Sequence, residues 1–196
     1  MNKIVTRKGT VVQDPGIAQL LFSDTRMAWL WTILRVYVGW QWLNSGWGKF
    51  NNPAWINTGE SLKNYWVNAV KVDPRPVIYF DWYRDFISFM LSGGHYVWFS
   101  KLVLFGEIAI GIALILGAFT GIAAFGGGFM NWNFMMAGTA SSNPVLLLLS
   151  VFILMAWKVA GYYGADRWLL PLLGTPWPTA PVEVASMTPT RAALKT

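Results

Sequence analysis

The sequence predicts an all-α integral membrane protein: a four-transmembrane-helix bundle with an amphipathic helical cap between helices 1 and 2. Three observations lead to this prediction. Hydrophobic residues make up 55% of the 196 residues and charged residues only 12%, which is about half the charge of an ordinary soluble domain. The mean hydropathy is +0.40. The 13 tryptophans and 19 glycines are typical of membrane helices, because tryptophan collects at membrane interfaces and glycine lets helices approach closely.

Four apolar segments have about the length that crosses a bilayer, which takes roughly 20 helical residues. Glycines and Pro53 end the first segment, because these residues stop helix propagation. An uncharged turn separates the second and third segments. Pro144 begins the fourth, since proline is tolerated in the first turn of a helix. The predicted spans are residues 25–45, 96–116, 120–138 and 145–162.

The segment 51–95 mixes charged residues with interfacial tryptophans. Its parts 59–71 and 79–91 have apolar residues at helical spacing, which predicts amphipathic helices lying on the membrane as a cap. The count of basic residues in the tails favours cytoplasmic termini by the positive-inside rule. The chain is thus divided into a cytoplasmic N-terminal tail at 1–24 that ends in a short interfacial helix, a membrane domain at 25–163 that includes the cap, and a C-terminal tail at 164–196.

The titratable residues exclude several kinds of site. Cysteine is absent and His95 is the single histidine, which excludes disulfides, thiolate metal sites and a cysteine nucleophile. No metal or haem is expected, so redox chemistry needs an organic cofactor or another subunit. The net charge is +6, but the basic residues are scattered singly outside the apolar segments. This favours anionic membrane lipids over nucleic acid as partners.

Two ionisable residues lie inside predicted spans, where a charged side chain costs about 2.5–3.5 kcal/mol to insert and is expected to be functional. Arg35 is in the middle of the first span and Glu107 in the middle of the second. Counted from the loop ends of their spans, at Ser45 and Tyr96, both lie roughly 15 Å deep. We therefore expect an Arg35–Glu107 ion pair, either as a catalytic pair or as a structural pair that fixes helix register.

Further polar residues of the second and third spans lie one or two turns closer to the long loop and predict a polar funnel that opens toward it. Two alternatives remain open. Buried amides also serve as packing bonds between membrane helices, and Lys101 can extend its ammonium group to the interface. The predicted binding residues are Asn131, Asn133, Lys49, Lys101, Trp47 and Trp42, with Gln41 and Trp132 as further wall residues.

An ordered series of short motifs runs through the chain. They are Arg35 with Gly39–Trp42, Gly46–Phe50, Gly106–Gly111, Met130–Met135, Asn143–Pro144 and residues 160–171. In these motifs the chain resembles the DoxX/DoxD family, particularly the DoxD-type subunit of thiosulfate:quinone oxidoreductase, over residues 30–175. The resemblance implies a four-helix bundle in a prokaryotic plasma membrane, where thiosulfate is oxidised to tetrathionate and electrons pass to quinone as substrate or bound cofactor. It also implies a DoxA-like second subunit or a larger electron-transfer complex; a homo-oligomer is the other expectation.

Two functions of different classes remain open. In the first, the chain is an oxidoreductase subunit of a respiratory chain: the basic residues and asparagines of the funnel bind thiosulfate, and Glu107 exchanges protons with quinone. In the second, the chain is a non-catalytic accessory subunit and the buried ion pair is structural. A channel or transporter is disfavoured, because the sequence has no internal repeat. Bound quinone and co-purifying subunits would distinguish the first two.

Overall fold

The computed structural model of the chain describes Ile4–Val5, Val11–Val12 and residues 14–173. The regular secondary structure of this part is helical except for one antiparallel pair of two-residue strands, in which Ile4 pairs with Val12. The prediction of an all-α fold is therefore confirmed. In chain order the elements are β1 (Ile4–Val5), β2 (Val11–Val12), α1 (Gly16–Ser23), a 3-10 turn (Thr25–Met27), α2 (Ala28–Phe50), α3 (Pro53–Ile56), α4 (Glu60–Ala69), α5 (Asp81–Ser92), α6 (Tyr96–Leu116), α7 (Thr120–Met136), α8 (Asn143–Met155), α9 (Trp157–Ala160) and α10 (Asp166–Leu172).

Four helices form the body of the molecule. Helix α2 packs along α6 and α7 packs along α8, while contacts of α6 with α7 and of α2 with α8 close the bundle. Glycines bring α2 close to α6: a Cβ on Gly39 would lie 2.9 Å from the carbonyl oxygen of Gly111, and one on Gly46 would lie 3.0 Å from the amide nitrogen of Ile108. Residues later in α2 contact residues earlier in α6, so the two helices are antiparallel.

The segment between α2 and α6 is an ordered helical cap made of α3, α4 and α5, with α4 and α5 in the two segments that the sequence predicts. Leu62, Trp66 and Ile87 bury their side chains in a cluster that reaches Ala137 after α7. We call the end of the bundle beneath this cap the capped end. The opposite end, which holds the α6–α7 turn and α10, is the far end.

Membrane-spanning character differs among the bundle helices. Among the described residues, only α6 is long and apolar enough to cross a membrane by length and composition. Helix α8 is apolar but has 13 residues, and α7 has 17. The prediction of four spans is thus supported for one helix. Large apolar side chains are nevertheless exposed along all four helices, among them Trp29, Ile33, Trp40, Leu102, Phe105, Ile122, Phe125, Val145, Leu148 and Val151.

The folded body extends beyond the predicted domain boundary at residue 163. The backbone N–H of Ala165 donates to the carbonyl oxygen of Leu116 at 3.1 Å, and that of Asp166 donates to Gly117 at 2.7 Å. Helix α10 follows and ends at Leu172. The first part of the predicted C-terminal tail is therefore folded against the α6–α7 turn, and residues 174–196 lie outside the described ones. In the predicted N-terminal tail, the short helix expected at its end is α1.

Candidate functional site

A cavity of about 410 Å³ lies inside the capped end of the bundle, a volume within the range of about 300–1,000 Å³ typical of small-molecule sites. All four bundle helices contribute to its walls, and residues of α3 and α4 form its roof. Each bundle helix contributes one buried residue to the walls: Trp42, Glu107, Asn131 and Leu146. The cavity thus lies where the sequence predicts a polar funnel.

The charged group of the cavity is an ion pair between α2 and α6. The Nζ atom of Lys49 lies 2.7 Å from Oε2 and 2.9 Å from Oε1 of Glu107, whose side chain is 1% exposed. Lys49 also donates to Oγ of Ser45 at 2.8 Å and lies 5.2 Å from the ring centroid of Trp55. Since one positive charge faces one negative charge, the ion pair leaves the cavity without net charge.

Two buried side chains beside this pair have hydrogen-bonding atoms without partners. Asn131 is fully buried, and neither its Nδ2 nor its Oδ1 has a partner among the described residues; the same holds for Nε1 of Trp42. Leaving a buried polar group unpaired costs about 1–3 kcal/mol, and such groups are rare in folded proteins. Both side chains line the cavity. They therefore point to a ligand or ordered water bound there.

The predicted contact between Arg35 and Glu107 is wrong. Arg35 lies at the far end, where its guanidinium donates to the carbonyl oxygens of Ile115 at 2.8 Å, Ala160 at 3.1 Å and Tyr163 at 3.2 Å, and also to that of Leu114. The reason is the length of α2, which was expected to end at Ser45 but continues to Phe50. The longer helix shifts the register, so that Gly46 lies beside Glu107 and Lys49, one turn later, is the residue within reach.

Arg35 and Asp166 instead hold the α6–α7 turn. The carboxylate of Asp166 accepts hydrogen bonds from the backbone N–H of Phe119 at 2.5 Å and Thr120 at 2.8 Å, which places a negative charge at the N-terminus of α7. Arg35 places a positive charge at the C-terminus of α6. Each charge interacts favourably with the dipole of the helix end beside it. Both side chains are buried. Their geometry is that of a structural clamp.

Three other predicted binding residues do not line the cavity. Asn133 binds the cap, because its Oδ1 accepts from the Tyr83 hydroxyl at 3.2 Å while its Nδ2 donates to the carbonyl oxygen of Phe129. Trp47 is 58% exposed, and Lys101 lies half-buried outside the cavity. The predicted wall residue Trp132 also lies outside it. The predicted residues that the structure does bring together are Glu107, Lys49, Trp42, Asn131 and Gln41.

The cap contributes residues that the sequence analysis missed. Tyr65 lines the cavity, and its hydroxyl lies 2.6 Å from Oγ1 of Thr139; burial raises the pKa of this phenol. Nearby, burial and then the neighbouring Tyr65 raise the pKa of Tyr83 to about 12. The sequence pattern of α4 could have identified Tyr65. It lies three residues after Leu62 and adjoins Trp66, so it is at the edge of the buried face of the helix.

One comparison with known proteins gives a match. A family model described as TQO small subunit DoxD matches residues 30–174, a range that contains every cavity residue and the clamp residues Arg35 and Asp166. The description names a subunit, which points to assembly with another subunit. No curated protein and no solved structure matches the chain.

Proposed function

The chain belongs to the DoxD family, and from this we propose that it is the quinone-reducing membrane subunit of an oxidoreductase of the thiosulfate:quinone type. In this proposal α2, α6, α7 and α8 are the four membrane spans and their exposed apolar side chains face lipid. The far end faces the cytoplasm, as the positive-inside rule favours.

The observation that carries the proposal is a cavity without net charge, lined by side chains whose hydrogen-bond donors have no partner among the described residues. A quinone headgroup is an uncharged ring with two carbonyl oxygens. The indole N–H of Trp42 and the amide of Asn131 have no partner among the described residues and can donate to such oxygens. Thiosulfate, a dianion, fits the cavity less well, since Glu107 already balances the charge of Lys49. We therefore assign quinone to this cavity and thiosulfate oxidation to a partner subunit.

The proton balance of the reaction gives Glu107 its role. Joining two thiosulfates to tetrathionate releases two electrons and no protons, whereas quinone takes up two electrons and two protons. Glu107 is the carboxylate that lines the cavity, so it holds and passes a proton at that point. Lys49 contacts both of its oxygens and fixes the carboxylate in position.

The test is Glu107→Gln in the purified complex. We expect the rate of quinone reduction with thiosulfate to fall by about 100-fold or more, the size of a general acid–base contribution. Glu60→Gln, at an exposed glutamate of the cap, is the matched control and retains the rate. Because Gln leaves Lys49 without its partner, Lys49→Met plus Glu107→Gln is measured as well. A well-assembled double variant with the wild-type rate contradicts the proposal.

The accessory-subunit alternative is favoured by one observation. Arg35, predicted as catalytic, is bonded to backbone carbonyls at the far end. If the buried charges of this chain are structural throughout, the complex that contains the double variant turns over at the wild-type rate. The same measurement therefore decides between the two functions.

A further inference from the structure

We propose that the cavity exchanges its ligand and its protons only at the capped end, through a polar opening in the side of the bundle, and that it is closed toward the far end. This inference rests on the proposed function, because that function identifies the ligand as a quinone. It adds the route by which that ligand and the two protons of quinone reduction arrive.

The opening follows from which lining residues are exposed. Asn44 and Ser45 of α2 and Ser141 and Ser142 of the α7–α8 turn line the cavity and are all exposed. We call these four residues the polar portal. The roof residues Trp55, Leu62 and Tyr65 are half-buried or buried, so the cap closes the cavity from above. Access is therefore sideways, between α2 and the α7–α8 turn, past small uncharged side chains.

An apolar layer closes the cavity on its other side. Each bundle helix contributes to this layer an apolar side chain that is at most 1% exposed: Val38, Leu114, Ala124 and Ile153. The four belong to one packed cluster. They lie one or two helical turns beyond the buried residues of the cavity on their own helices, which is about 6–11 Å. These four side chains offer water no hydrogen-bond partner.

The charged groups beyond the layer are not free to relay protons across it. Arg35 is bonded to four carbonyl groups, and the carboxylate of Asp166 is bonded to two backbone N–H groups. These bonds hold both side chains in place, so neither is positioned to carry a proton across the layer. The protons taken up with each quinone therefore come from water at the capped end.

Thiol labelling tests the route without relying on activity. The chain has no cysteine, so single cysteines report accessibility directly. Ser23→Cys at the far end and Asn64→Cys on the cap, both at exposed positions, establish which face of sealed vesicles a charged, membrane-impermeant methanethiosulfonate reagent reaches. Asn131→Cys, inside the cavity, is then labelled from each face. Should this variant fail to assemble, Leu146→Cys, which lines the same cavity, replaces it.

We expect Asn131→Cys to react at least about tenfold faster from the capped face, a barrier difference of about 1.4 kcal/mol. Adding Ser142→Trp in the portal should slow that reaction by a similar factor. Thr120→Cys, equally buried but beyond the apolar layer, should stay unlabelled from the capped face. Equal labelling from both faces, or a rate that Ser142→Trp leaves unchanged, overturns the proposal. If labelling is one-sided but the wild-type complex does not reduce quinone, the access route stands and the proposed function fails.

Discussion

At the scale of single residues, the basic side chains Arg35 and Lys49 of α2 bind different partners. Arg35 distributes its donors over carbonyl groups of three separate segments, α6, α9 and the turn that follows α9. A planar guanidinium with five N–H donors suits scattered acceptors. Lys49 brings a compact charge to both oxygens of one carboxylate. The first arrangement joins backbone segments, and the second leaves a polar group facing the cavity.

Replacing Arg35 by Lys tests its structural role. Lysine keeps the positive charge but cannot reach acceptors in several directions, and hydrogen bonds to charged groups contribute about 1.5–3 kcal/mol each. We expect the free energy of unfolding in detergent to fall by about 2–4 kcal/mol. Arg26→Lys, at a side chain that is 76% exposed in a local ion pair with Asp24, is the control and should change stability little. Equal stability of the two variants would show that Arg35 is not a clamp.

The sequence predicts the polar members of the cavity but not how they pair. Glu107 and Asn131 are recognisable because ionisable and amide side chains inside apolar segments are unusual. Which residue pairs with Glu107 depends on the register between α2 and α6, which in turn depends on where α2 ends. Composition around Ser45 does not show this, because the helix end is decided by contacts with another helix.

At the scale of elements, α2 is a helix whose length is determined by packing. Gly46 and Gly48 were expected to end it, since glycine weakens a helix interior by about 1 kcal/mol relative to alanine. The helix continues because its Gly46 backbone packs against α6. The second and third spans, expected at 96–116 and 120–138, correspond closely to α6 and α7. The fourth, expected at 145–162, is divided into α8 and α9, which sequence periodicity does not reveal.

The close contact of α2 with α6 predicts opposite results for two glycines. Gly39→Ala places a Cβ 2.9 Å from the Gly111 carbonyl oxygen and 3.0 Å from the Ile115 nitrogen, and such overpacking costs about 1–3 kcal/mol. Gly48→Ala meets nothing within 4 Å and should leave stability unchanged or raise it by up to about 1 kcal/mol. Thermal unfolding of both variants provides the measurement. A neutral Gly39→Ala would mean that the two helices do not pack this closely.

At the scale of the whole molecule, the two ends of the bundle are built differently. The far end is held by charged side chains bonded to backbone groups of helix ends. The capped end is held by tyrosine hydroxyl groups. The hydroxyl of Tyr65 forms a hydrogen bond with Oγ1 of Thr139, and that of Tyr83 donates to the carbonyl oxygen of Asn133 at 3.1 Å. The cavity lies at the end whose closure depends on protonated tyrosines.

This difference predicts a loss of stability at high pH. The unfolded chain loses its tyrosine protons near pH 10, whereas burial keeps the proton on Tyr83 until about pH 12. Because the folded pKa is raised, the contribution of Tyr83 is complete below about pH 10 and is lost as the pH rises toward 12, at up to about 1.4 kcal/mol per pH unit. Tyr83→Phe should flatten this part of the stability curve, whereas Tyr79→Phe, at an 83% exposed phenol, should not. Equal slopes of stability against pH in the two variants would contradict this prediction.

The carboxylate that caps α7 has a consequence for biosynthesis. Asp166 lies 46 positions after the Thr120 amide that it binds, and two of the carbonyl groups that bind Arg35 belong to Ala160 and Tyr163. While the ribosome is still making α8 and α9, the start of α7 therefore lacks its acceptor and Arg35 lacks half of its partners. The bundle cannot be completed helix by helix as the chain emerges. Its final closure waits until Asp166, at the start of α10, has been synthesised.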